Sequence, residues 1–154
     1  MALTDFADRL ADLNTMRADP KTGLVTMAMV GTTDGGQLCV GIQKLFQRYM
    51  RTLLLKQGSM LYRPNDGCTF LRDLDAGFWR TPADVSQSFA AAQLDVRRQL
   101  VADETLDDPD DERFADARLT NIQLTDDRVG LTVQVTSLAG TSVEYIVPII
   151  TVPR

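Results

Sequence analysis

Histidine is absent from this 154-residue chain. Without an imidazole there is no Ser-His-Asp triad, no Cys-His pair, no HExxH zinc site and no histidine general base. Glutamate is scarce too: Glu104, Glu112 and Glu144 are the only three. The two cysteines, Cys39 and Cys68, lie too far apart in sequence for a CxxC motif and read as buried, reduced thiols. No apolar run approaches the roughly 18 residues a membrane span needs. The opening MALTDFADRLADLN spaces its apolar residues with acids and offers no signal-peptide core. Neither GxxxxGK[ST] nor GxGxxG occurs, so no phosphate-cradling loop is expected. These absences point to a soluble chain made and kept in a cytoplasm, with no cofactor.

What is present is ordinary in bulk and uneven in detail. Hydrophobic residues make up 44%, enough for a single globular domain held by burial alone. The net charge is −5, yet the stretch from Asp103 to Asp116 holds eight acids and only Arg113 as a base. From Gly35 to Asn65 the charges are Lys44, Arg48, Arg51, Lys56 and Arg63, with no acid. Such segments meet each other internally or face partners of opposite sign. The simplest reading of the acidic run is a solvated loop. The basic stretch is short and belongs to no recognised nucleic-acid module, so no nucleic-acid partner is expected.

Periodicity supplies the architecture. Leu3, Phe6, Leu10 and Leu13 predict a short helix over 3–13, and the apolar run 24–30 a short strand. Thr32–Gly36 reads as a hinge, so 1–36 is treated as an N-terminal arm and 37–154 as the main domain. Ile42, Leu45, Phe46, Tyr49, Met50, Leu53 and Leu54 mark one face of a helix from about Gln37 to Lys56, with Lys44, Arg48 and Arg51 opposite and Gly58 as its C-terminal cap. Met60–Tyr62 reads as a short strand and Pro64-Asn65-Asp66-Gly67 as a turn. Phe70, Leu71 and Leu74 return to the core. Thr81-Pro82-Ala83-Asp84 is a helix start, and Val85, Phe89, Ala92, Val96 and Leu100 are the buried face that follows. From Arg118 the period becomes two. Strands are predicted at Leu119–Leu124, Val129–Thr136 and Val143–Val152, with turns at Asp126-Asp127 and Leu138–Thr141 and an edge or bulge at Pro148. The sum is an α+β domain: two main helices packed on a small antiparallel C-terminal meander, with an N-terminal arm.

A long helix ending in LLLKQGS, then MLYRPNDGC, then FLRDL, resembles the baseplate wedge family of contractile-tailed bacteriophages, described in places as lysozyme-like and related to a wedge subunit of type VI secretion baseplates. Leu53, Leu54, Leu55, Gly58, Arg63, Pro64, Gly67 and Leu71 carry the resemblance, which covers Gln37–Val152. The family's Glu-Pro-Arg tripeptide before the first meander strand corresponds to Asp116-Ala117-Arg118 here, with the proline missing. The resemblance implies a structural virion protein, assembled in the host cytoplasm, with six copies per ring of the tail baseplate. It implies partners among other wedge subunits, the sheath subunit and tube or hub proteins, and a sheath-nucleating role.

On that basis Asp116 and Arg118 are candidates for docking onto the wedge core. Val143, Tyr145 and Val147 mark a strand edge able to accept a neighbour's strand. Arg48 and Arg51 are candidates for contact with acidic neighbours, and Trp79 is a candidate aromatic anchor, either in the core or at an interface. The alternatives are a regulatory adaptor sharing the fold and, at a distance, a carboxylate-pair glycosidase. Against the glycosidase, Glu104 and Glu112 sit in the acidic run, where water is plentiful, and Glu144 sits in a strand. Asp108-Pro-Asp110-Asp-Glu112 offers oxygen ligands but lacks the sixth-position glycine and twelfth-position glutamate of an EF-hand, and no metal site is assigned.

Overall fold

The computed structural model of the chain describes residues 9–13, 16–18, 25–27, 38–125 and 128–150. The elements run β1 (Asp12–Leu13), β2 (Met16–Ala18), β3 (Val25–Met27), β4 (Leu38–Cys39), α1 (Ile42–Leu54), α2 (Phe70–Asp75), α3 (Pro82–Asp103), β5 (Phe114–Leu124), β6 (Arg128–Ser137) and β7 (Ser142–Ile150). β1 pairs with β4 and β2 with β3; the C-terminal strands form an antiparallel sheet in the order β5-β6-β7. The fold is α+β.

The core forms where α1 lies on the inner face of the meander. Leu45, Phe46, Tyr49, Met50 and Leu53 of α1 are buried, as are Leu131, Val133 and Val135 of the central strand β6. Phe46 meets the ring of Tyr145 at 4.7 Å, and Tyr49 stacks on Phe114 at 5.7 Å. α3 closes the other side with Val85, Phe89, Ala92, Val96 and Leu100, all buried at helical spacing. Its start follows from local chemistry. The Thr81 hydroxyl accepts from the Asp84 amide at 3.3 Å, and the Asp84 carboxylate accepts from the Thr81 amide at 2.8 Å, a reciprocal cap with Pro82 at the first turn.

Several expectations need correction. No helix occupies 9–13: Asp12 and Leu13 pair with Cys39 and Leu38, so that part of the arm shares a small sheet with the main domain. The rest of the predicted N-terminal helix and the 32–36 hinge lie outside the described residues, as does the Asp126-Asp127 turn; its flanks, Leu124 and Val129, are paired. Met60–Tyr62 is a turn, not a strand. α1 ends at an extended Leu55, and Gly58 serves the following loop, where its amide donates to the Pro64 carbonyl. β5 begins at Phe114, earlier than the predicted Leu119. Of the two alternatives at Pro148 the edge holds: it pairs with Gly130 in regular register, without a bulge, on a sheet-edge strand.

Both cysteines are free and buried, and burial pushes each thiol up to about 11. Among the described residues no helix is long and apolar enough to cross a membrane.

Candidate interaction surface

The acidic stretch is only in part the solvated loop expected from composition: Asp103, Asp107 and Asp110 are exposed, but other acids are held by the fold. Glu112 is 1% exposed. Its carboxylate accepts from the Lys44 ammonium at 2.6 Å and from the Gly41 amide at 3.0 Å. α1 has no acid of its own in its first turn, and Glu112 supplies negative charge at that positive helix end. Lys44, assigned to the solvent face of α1 by periodicity, is instead 8% exposed and also donates to the Leu10 carbonyl at 2.7 Å. One ammonium thus joins the arm, α1 and the acidic loop. Glu104 accepts from the Phe114 amide at 2.7 Å, and Asp111 pairs with Arg9 at 2.8 Å. The loop is a structural clasp, and the expectation of water-bathed Glu104 and Glu112 is overturned.

Asp116 and Arg118 lie inside β5, not before it, and on the outer face of the sheet. They are brought together: the Arg118 Nε donates to Asp116 at 2.9 Å, and both side chains are more than half exposed. Across the ladder Arg118 stands beside Gln134 and Glu144, and Asp116 beside Thr136 and Ser142. The outer face therefore carries a polar strip. Glu144 accepts from the Thr120 hydroxyl at 3.2 Å.

Val143, Tyr145 and Val147 point the other way. They pair with Val135, Val133 and Leu131, all buried, and the Tyr145 hydroxyl donates to Gln43 at 2.7 Å. These side chains belong to the helix-facing layer, so strand addition at β7 would use its main chain, not these three side chains. β3 of the arm approaches β7 without joining its ladder among the described residues.

Arg51 is exposed and Arg48 half-buried; neither makes an ion pair among the described residues. Trp79 packs on Phe70 at 4.5 Å and is partly buried, which places it at the core margin as an anchor for the α2–α3 connection. Its indole Nε1 is buried with no partner among the described residues.

One surface feature escaped the sequence. Leu61 is 85% exposed and Tyr62 92%, at the tip of the loop joining α1 to α2. The loop beneath them is pinned. The Cys68 amide donates to Leu55 at 2.9 Å, the Gln57 amide to Cys68 at 3.1 Å and the Asp66 amide to Arg63 at 3.1 Å. Gln99 of α3 clamps both backbone groups of Gly67. Arg63 pairs with Asp66, and Lys56 pairs with Asp75. A fixed loop thus holds two large apolar side chains side by side in water, where another surface would gain by burying them. The available signal was the flanking turn chemistry: Gly58 before and Pro64–Gly67 after make MLY a tip between two turns, not a strand.

No three His, Cys, Asp or Glu side chains are placed to hold a metal ion among the described residues. Comparison with family models, curated proteins and solved structures gives no match for this chain.

Proposed function

We propose that this chain is a structural wedge subunit of the baseplate of a contractile tail or a related injection system. It joins wedge subunits around the tube and offers the sheath subunit a template, without turnover and without a cofactor. The reading places it in the virion after assembly in the host cytoplasm, with six copies per ring. The observation that carries it is the pinned loop presenting Leu61 and Tyr62. Covering that tip would take apolar area out of water, and the same loop holds four of the residues on which the resemblance rests, Gly58, Arg63, Pro64 and Gly67. The order of helix, turn, Leu-rich segment, second helix and meander supports the reading as well. Asp116 and Arg118, side by side on an exposed sheet face, are suited to docking by paired charges.

The test is co-expression of the tagged chain with the wedge, sheath and tube proteins of its own particle. Leu61→Asp with Tyr62→Asp should abolish recovery of wedge subunits while shifting stability by no more than about 0.5 kcal/mol per site, as exposed positions do. Arg118→Glu should weaken the same recovery. If both variants recover those partners as the unaltered chain does, or particles assemble without the chain, the proposal is wrong.

A further inference from the structure

Between α2 and the first half of α3 lies an open notch of about 370 Å³, lined by Asp73, Phe78, Asp84, Gln87, Ser88 and Ala91. Phe78 is 63% exposed and forms one wall. Asp73 makes no ion pair among the described residues. Asp84 uses one oxygen, Oδ2, for the α3 cap, leaving Oδ1 without a hydrogen bond among the described residues. Ser88 is 8% exposed, yet its hydroxyl has no hydrogen-bond partner among the described residues. Although the residue is nearly buried, its hydroxyl oxygen opens onto the notch, beside two carboxylates and an exposed aromatic face, and together these offer a donor several acceptors.

We infer that this notch receives the arginine side chain of a partner protein. A guanidinium carries five N–H donors in a planar fork and no acceptor, which matches a site made of carboxylate and hydroxyl acceptors. It stacks on an aromatic ring while its fork engages carboxylates, which an ammonium does less well. Ala91 leaves room for the alkyl stem. One arginine held this way fixes the register of a larger interface more than it supplies affinity. The assembly reading bears only on who donates the arginine; the notch itself is testable on the isolated chain.

The experiment is an amide-resolved NMR titration of the full chain with arginine amide, using lysine amide and citrulline amide as controls. Arginine amide should give saturable shifts in the millimolar range at Phe78, Ser88 and Ala91. Citrulline amide, similar in shape but with an uncharged side chain, should give none, and lysine amide should bind at least threefold more weakly. Asp73→Asn should weaken arginine binding at least fivefold, and Phe78→Ala should weaken it too, whereas Asp107→Asn, an exposed acid elsewhere, should leave it unchanged. Equal binding of citrulline or lysine, equal weakening by Asp107→Asn, or shifts that never saturate would overturn the assignment. None of those outcomes bears on the Leu61 and Tyr62 pull-down, so the two readings fail separately.

Discussion

Replacing Glu112 by glutamine tests the clasp most directly. The change keeps the side-chain shape and an acceptor for the Gly41 amide but removes the charge opposite Lys44, whose side chain is 10% exposed. A surface ion pair would contribute about 0–1 kcal/mol. Breaking a buried pair leaves an ion without water or counter-charge and costs about 3–5 kcal/mol. For a chain of this size each kcal/mol moves the melting temperature by roughly 2–4 °C, so Glu112→Gln should lower it by roughly 6–20 °C. Lys44→Met should lose a similar amount, since it strands the Glu112 carboxylate and removes the donor to Leu10. Removing both charges with Lys44→Met and Glu112→Leu should recover most of the loss, because an apolar pair of like volume avoids the desolvation of two ions. Urea denaturation of the unaltered chain, Lys44→Met, Glu112→Leu and the double variant closes the cycle and gives the coupling energy. A single-variant loss below about 1 kcal/mol, or a double variant as unstable as the two losses added, would refute the reasoning that burial governs this pair.

Three further expectations follow from local geometry. Gly67 has φ +87°, and a Cβ there would lie 2.2 Å from the Leu55 carbonyl oxygen, whereas Gly58, at φ +84°, has open space around it. Gly67→Ala must therefore add a backbone displacement to the roughly 1–2 kcal/mol of left-handed strain that Gly58→Ala alone would meet; the reverse order of losses in urea would contradict this. Thr81→Ala removes the side-chain cap of α3 and should cost about 0.5–2 kcal/mol by thermal melting. Hydrogen bonds from the Thr81 side chain and backbone hold the Asp84 carboxyl below its usual range. Its stabilising contribution is therefore present above the unfolded carboxylate pKa and lost as pH falls through the lowered one. Asp84→Asn should flatten the acid limb of stability against pH, and an unchanged limb would remove Asp84 from that account.

How much was legible depended on whether the deciding partner was near in sequence. α1, α3 and the three C-terminal strands announced themselves because their buried faces repeat at 3.6 or 2 residues, and the Thr81–Asp84 cap is complete within four positions. Lys44 was misread because periodicity places a residue on a helix face but cannot say what covers that face; its cover, Glu112, is 68 residues away. Glu112 was hidden among acids that composition treats alike. β5 was started late because Ala-Asp-Ala has weak strand propensity, and its pairing with Val135–Ser137 overrides that preference. Val143, Tyr145 and Val147 lie on an edge strand, as read from the sequence. Alternation showed they share a face but not that this face looks toward α1. Of the polar candidates, Asp116 and Arg118 came from resemblance alone, and only the ladder shows them adjacent and exposed.

The clasp also sets a timetable for synthesis. Lys44 leaves the ribosome 68 residues before the carboxylate that will neutralise it. At roughly 5–20 residues per second, that is about 3–14 s of waiting. Through that interval the apolar face of α1 lacks β6, the strand that will cover it, since β6 is translated later still. The nascent chain therefore carries an uncovered Leu, Phe, Tyr and Met stripe for seconds, and the first half of this protein is a natural client for whatever guards emerging chains in the cell that makes it.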